Sequence, residues 1–155
     1  MAENHCPDCG AQVTGGRDGC HALIDEMMAQ AHADVRYAAA YRLAFDAYCL
    51  QHPDKYCVSK KSYVAHLIGL CHGLEHHGNP ATYWAIPQWL NKPRTLDRPS
   101  PPPTRGNMTV ADAHGASSPE EHARRVRRWA ESVWRAYQPQ HELARRWLQQ
   151  ALKAR

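Results

Sequence analysis

The chain has 155 residues, 43% of them hydrophobic and 22% charged, which is the size and make-up of one globular domain able to bury its own core. No apolar run approaches the ~18–20 residues that a bilayer-spanning helix needs, so a membrane segment is not expected. The formal net charge of +4 is uneven: residues 119–155 hold nine Lys and Arg against four acids, a balance of +5, and the rest of the chain carries −1. Such an asymmetry marks either a surface for nucleic acid or an acidic partner, or the solvated faces of amphipathic helices. The opening MAENHCPDCG has neither the basic start nor the apolar middle of a secretory signal, which predicts a cytoplasmic protein. In that reducing compartment six cysteines read as metal ligands or buried thiols rather than as a disulfide framework.

In chain order, Cys6-Pro7-Asp8-Cys9-Gly10 is a zinc-knuckle pattern. Two thiolates two residues apart can share a tetrahedral ion, and Gly10 lets the chain turn back beneath the sulfurs. A redox Cys-x-x-Cys is the rival reading, but it should follow a strand in a βαβ pattern, and no strand is legible here. After a turn-rich stretch, Cys20 stands directly before a helical pattern, where a helix N-terminus favours a thiolate. Leu23, Ile24, Met27, Met28 and Ala31 then recur at helical spacing, and this helix is predicted to end near Ala33.

A second helix carries Tyr41, Phe45, Tyr48, Cys49 and His52 on one stripe and is stopped by Pro53. His52 falls on its buried side, in the last turn. A histidine on an apolar face is more often a core residue than a ligand, and three nearby thiolates lacking a fourth partner bring the two readings level. Asp46 pairs on paper with Arg42 one turn before it, as a surface ion pair. Ser59 caps a third helix with Tyr63, Leu67, Leu70, Cys71 and Leu74 facing inward and Gly78 as its C-cap. His66 lies beside that stripe and competes with His52 as fourth ligand. His72 and His76 have the spacing of a shared metal site, yet they fall beside Glu75 on the polar face and read as solvated.

Asn79-Pro80 starts a short aromatic helix with Tyr83, Trp84, Ile86, Trp89 and Leu90, interrupted by Pro87. Residues 91–107 are a proline-rich connector, either functional or laid along the surface. Ser118-Pro119-Glu120-Glu121 is a capping box opening a long helix whose stripe is Ala123, Val126, Ala130, Val133, Trp134 and Tyr137. Its arginines Arg124, Arg125, Arg127 and Arg128 project mostly away from that stripe. Pro139 breaks the chain before a last helix with Leu143, Ala144, Trp147, Leu148 and Ala151 inward. No Gly-rich phosphate loop or nucleophile elbow occurs.

These readings add up to an all-α protein: a compact bundle of about five to six helices with a zinc-knuckle-like start. One domain spans 1–155, with 1–20 as the knuckle segment, 21–90 as a first helical part, 91–117 as the connector and 118–155 as basic helices. The combination of CPDCG, a third cysteine at the first helix, FDAYCLQHP, HLIGLCHGLE, MTVAD and WAESVWRAYQPQHELARRW resembles an uncharacterised bacterial family known as a domain of unknown function. The resemblance runs over nearly the whole chain and rests on Cys6, Cys9, Cys20, Asp46, Tyr48, Gln51, His52, His66 and Trp134. It implies a small helical domain with a metal-binding start and brings no activity with it.

Two functional classes follow. In the first, Cys6, Cys9 and Cys20 hold Zn²⁺ with His52, or else His66, as fourth ligand. The closed site is then structural, and the protein binds a protein or nucleic-acid partner through Arg124 to Arg128. In the second, Asp46, His52, His66 and His141 form an open site between helices for metal-assisted hydrolysis or transfer. A third arrangement closes the cysteine site with His5, His21, Cys57 or Cys71.

Overall fold

A computed structural model of the chain describes residues 3–154, and the regular structure among them is entirely helical. Helices α1 (Gly16–Ala33), α2 (Val35–Ala38), α3 (Tyr41–Gln51), α4 (Pro53–Tyr56) and α5 (Lys60–Glu75) are followed by the short α6 (Pro80–Tyr83) and α7 (Ala85–Leu90). After the proline-rich connector come α8 (Val110–Ala113), α9 (Pro119–Ala136), a 3₁₀ turn over Gln138–Gln140 and α10 (His141–Lys153). No helix of the described residues is long and apolar enough to cross a membrane.

The bundle is organised around α3. Every residue from Asp46 to Gln51 is buried, because α5 and α9 pack on two of its sides and α1 on another. Two glycines of α5 allow the close approach. A Cβ at Gly69 would strike the Asp46 carboxylate, and one at Gly73 would come within 2.8 Å of Leu43 Cδ1. The far face of α5 receives α10 and α7, while α8 fills the corner between α1 and α9. Trp129, Tyr63, Tyr137, Leu50 and Leu148 are among the largest fully buried side chains, each contributing roughly 1.5–3 kcal/mol of apolar burial.

Local chemistry sets the helix ends. The Ser59 hydroxyl accepts from Ser62 N–H at 3.0 Å, the Asn79 side chain accepts from Ala81 N–H at 3.0 Å, and Pro80 takes the first position of α6. Ser118 caps α9 through Glu121 N–H at 3.1 Å, but the predicted capping box is only half formed there. The Glu121 carboxylate turns back to the N–H and hydroxyl of Ser117 instead, and these bonds with Arg125 hold its carboxyl down to about 2. A complete capping box occurs at α8, where Thr109 and Asp112 satisfy one another.

Several expectations are corrected. Helix α1 starts at Gly16, so Cys20 sits inside the helix rather than before it. Helix α5 ends at Glu75 with His76 as cap, and His77 and Gly78 both take left-handed backbone beyond it. The aromatic segment breaks at Trp84, and Pro87 is tolerated in the first turn of α7, where no N–H is needed. Ala123 is exposed. Asp46 is no surface residue: it is fully buried and accepts from His66 Nδ1 at 2.9 Å, with Arg42 Nε 3.8 Å from its other oxygen. His72 is buried too, because α5 is enclosed on nearly every side.

The connector is laid down and fastened. Arg98 Nε donates to Cys57 O at 2.8 Å, Gln140 Nε2 to Ser100 O at 2.9 Å, and Met108 N–H to Ser132 Oγ at 3.1 Å. Gln51 contributes most. Its Nε2 donates to Arg105 O at 2.9 Å and Met108 O at 2.7 Å, while its Oε1 accepts from Trp129 Nε1 at 2.9 Å.

Candidate metal centre

The N-terminal segment folds back on itself before it meets the bundle. Cys6 N–H donates to Ala11 O and Gly10 N–H to Cys6 O, both at 2.8 Å, and Gly10 has the positive φ of 80° that this turn requires. The turn presents Cys6 and Cys9 on one side, and Asp8 ties it to α1 by a two-pronged pair with Arg17 at 2.8 and 3.0 Å. Cys20 comes from the second turn of α1. His52 is the residue that ends α3.

The sulfurs of Cys6, Cys9 and Cys20 and one ring nitrogen of His52 all lie within 4.8 Å of one another. Cys9 Sγ is 3.7 Å from Cys20 Sγ, and His52 Nε2 is 3.6 Å from the sulfurs of both Cys6 and Cys20. A disulfide needs about 2.05 Å, so the sulfurs are not bonded to one another. A tetrahedral ion with metal–sulfur bonds of ~2.3 Å and a metal–nitrogen bond of ~2.0 Å has ligand separations of about 3.8 Å and 3.6 Å. The observed spacings fit that tetrahedron, and the cluster could hold a metal ion.

The histidine is prepared for the role. Its Nδ1–H donates to Tyr48 O at 2.7 Å, one helical turn back, which fixes the tautomer that leaves Nε2 with a lone pair toward the sulfurs. The Tyr48 ring stacks on the imidazole at 4.1 Å between centroids. The neighbouring Cys20 thiol and, after it, burial raise the Cys9 thiol to about 12, and burial raises that of Cys6. A bound cation would offset this crowding of sulfurs, and its binding would release protons.

The remaining candidates lie elsewhere. His66, the competing fourth ligand, is turned to Asp46. His21 pairs with Asp25 at 3.1 Å, His5 is exposed, Cys57 donates to Cys49 O and Cys71 to Glu75. Asp46, His52, His66 and His141 do not converge. His141 stacks on Trp134 at 3.8 Å and donates Nε2–H to its carbonyl at 2.6 Å. Among the described residues, the three cysteines with His52 are the one group of three or more ligand atoms close enough for an ion. Sequence reasoning missed Tyr48 as the group that orients His52, although its place four residues earlier on the same helix was the available signal.

Of the basic stretch, Arg125 is held by Glu121 at 2.7 Å and by His114 O, and Arg127 by Glu131 at 3.1 Å. Arg124 and Arg128 are exposed.

Comparison with curated proteins and with solved structures gives no match. A family model does match, over residues 4–138, a span that takes in all four residues of the cluster and the helices that position them. The chain belongs to DUF5946, a family of unknown function.

Proposed function

We propose that the protein is a zinc-stapled helical scaffold that works by binding a macromolecular partner. The observation that supports it is the buried, four-cornered set of Cys6, Cys9, Cys20 and His52, spaced as the edges of a tetrahedron. Three thiolates and one imidazole suit Zn²⁺, which takes four such ligands and no redox role. With four protein ligands no coordination position remains for substrate, so the ion joins the N-terminal turn, α1 and the end of α3. Its binding energy becomes folding energy. Zinc removal by a strong chelator then lowers the melting temperature and unfolds the N-terminal third at least. A chain that loses zinc and melts unchanged would refute the staple and return attention to an open site.

The partner surface in this reading is the outer face of α9. Arg124 and Arg128 lie exposed on it, while Arg125 and Arg127 are partly neutralised by Glu121 and Glu131. That arrangement favours a partner carrying scattered acidic charge, whose affinity falls with salt. Replacing Arg124 and Arg128 by Glu should abolish low-salt binding to such a partner, with mixed RNA and DNA as the comparison. Unchanged binding by the variant would refute the surface.

A further inference from the structure

A cavity of about 540 Å³ opens between α2, α3, α5, α6 and α9, on the far side of α3 from the metal centre, and its size is within the usual range of small-molecule sites. Its floor is unusually bare: Ala38, Ala39 and Ala40 on one side and Gly69 and Gly73 on the other keep side chains out of the space. The ionisable groups that line it are Arg42, Arg127, His72 and His77, with no carboxylate among the described lining residues.

One buried polar atom of its lining is left without a partner. His72 is fully buried and lines the cavity, yet its Nδ1 has no hydrogen-bond partner. Its Nε2 is 2.7 Å from Thr82 Oγ1, and that hydroxyl gives its proton to Asn79 O at 3.1 Å. Thr82 must therefore accept from Nε2–H, which leaves the neutral ring with a lone pair on Nδ1. Burial lowers the His72 pKa and so favours that neutral ring. Asp46 does not line the cavity; its Oδ2, behind Gly69, faces Arg42 at 3.8 Å. Buried polar groups are ordinarily satisfied, so the unpaired His72 Nδ1 at the cavity points to a donor that completes it.

The wall supplies the remaining specificity. Arg42 lies over the Tyr83 ring at 4.7 Å, which leaves Trp84, 67% exposed, as the aromatic surface without a cover. A large exposed indole at the mouth of a cavity suits a flat ring.

We propose that this cavity binds a small aromatic carboxylate that also carries a hydroxyl or N–H donor: the carboxylate on Arg42, the donor on His72 Nδ1, the ring against Trp84, while Arg127 is engaged by Glu131 at 3.1 Å and Leu74 O at 3.4 Å. The proposal is independent of the metal reading and survives or fails without it.

The test is titration of the full chain as purified with 4-hydroxyphenylacetate, its neutral amide and inorganic phosphate, followed by calorimetry and by the NMR signals of His72 and the Trp84 indole. The acid should bind and move those signals, and the amide should bind about tenfold or more weakly, since a charge-assisted hydrogen bond is worth ~1.5–3 kcal/mol. Trp84→Ala, whose exposed side chain leaves the fold intact, and Arg42→Gln should each weaken the acid about tenfold at unchanged circular dichroism and melting temperature. Equal affinity for acid and amide, phosphate binding as tightly as the aromatic acid, signals that move elsewhere, or no binding at millimolar acid would each overturn the assignment.

Discussion

Replacing Gln51 by Leu tests the packing logic at the centre of the molecule. The substitution keeps the side chain's approximate volume and removes three hydrogen bonds that join α3, the connector and α9. The Trp129 indole is fully buried, so its N–H would lose its partner without access to water, a cost of about 1–3 kcal/mol. The carbonyls of Arg105 and Met108 belong to half-buried residues and can find water more easily, at about 0.5–1.5 kcal/mol each. These losses add to about 2–6 kcal/mol, a large part of the ~5–15 kcal/mol a domain has. Urea denaturation measures the loss, and hydrogen exchange across residues 91–109 should show the connector loosening first. The exposed Gln149→Leu serves as control, with an effect within about 0.5 kcal/mol. A Gln51→Leu protein within that same margin of the wild type, with an unchanged connector, would refute the view that this side chain pins the loop.

Gly69→Ala should destabilise by about 1–3 kcal/mol, because the added methyl meets the Asp46 carboxylate rather than a flexible side-chain end; a neutral effect by urea denaturation would show that α3 and α5 can part freely. Ser118→Ala should lose about 1 kcal/mol by the same assay, since its hydroxyl caps α9, and no loss would show that Ser117 and Glu121 suffice to hold that end. Burial lowers the pKa of both His72 and His122 from the ordinary 6.5. On acidification the unfolded chain therefore takes up protons first, so this part of the stability is complete above pH 6.5 and is lost as the pH falls below it. NMR titration should place both midpoints below 6.5, and His122→Phe should shallow the acid decline; midpoints at or above 6.5 would contradict the burial argument.

The helical class was legible because apolar spacing, Ser59, Asn79-Pro80, Ser118 and the prolines all point the same way. The cysteines of the candidate site were legible as residue types at a known spacing, and His52 as a histidine at a helix end facing inward. What the sequence hid depends on tertiary enclosure. His72 carries the same local pattern as the exposed His76, and only the packing of other elements around α5 separates them. Asp46 and Arg42 stand at the spacing of a surface pair, which says nothing of the His66 and Gly69 that arrive from another helix. Thr109-x-x-Asp112 is a shorter variant of the capping box, and without an apolar run behind it the signal was weak. The Gly-Gly before Arg17 reads as a turn, although its left-handed backbone leads directly into α1.

The proposed staple has Cys6, Cys9, Cys20 and His52 hold one structural zinc. Elemental analysis of freshly purified wild type, His52→Ala and His66→Ala, each melted with and without chelator, decides it. One zinc per chain is expected in the wild type and in His66→Ala, with melting that collapses on chelation, and lost or weakened zinc with a lowered melting temperature in His52→Ala. Equal zinc in all three proteins, a requirement for His66 instead of His52, or a fold indifferent to the metal would contradict it.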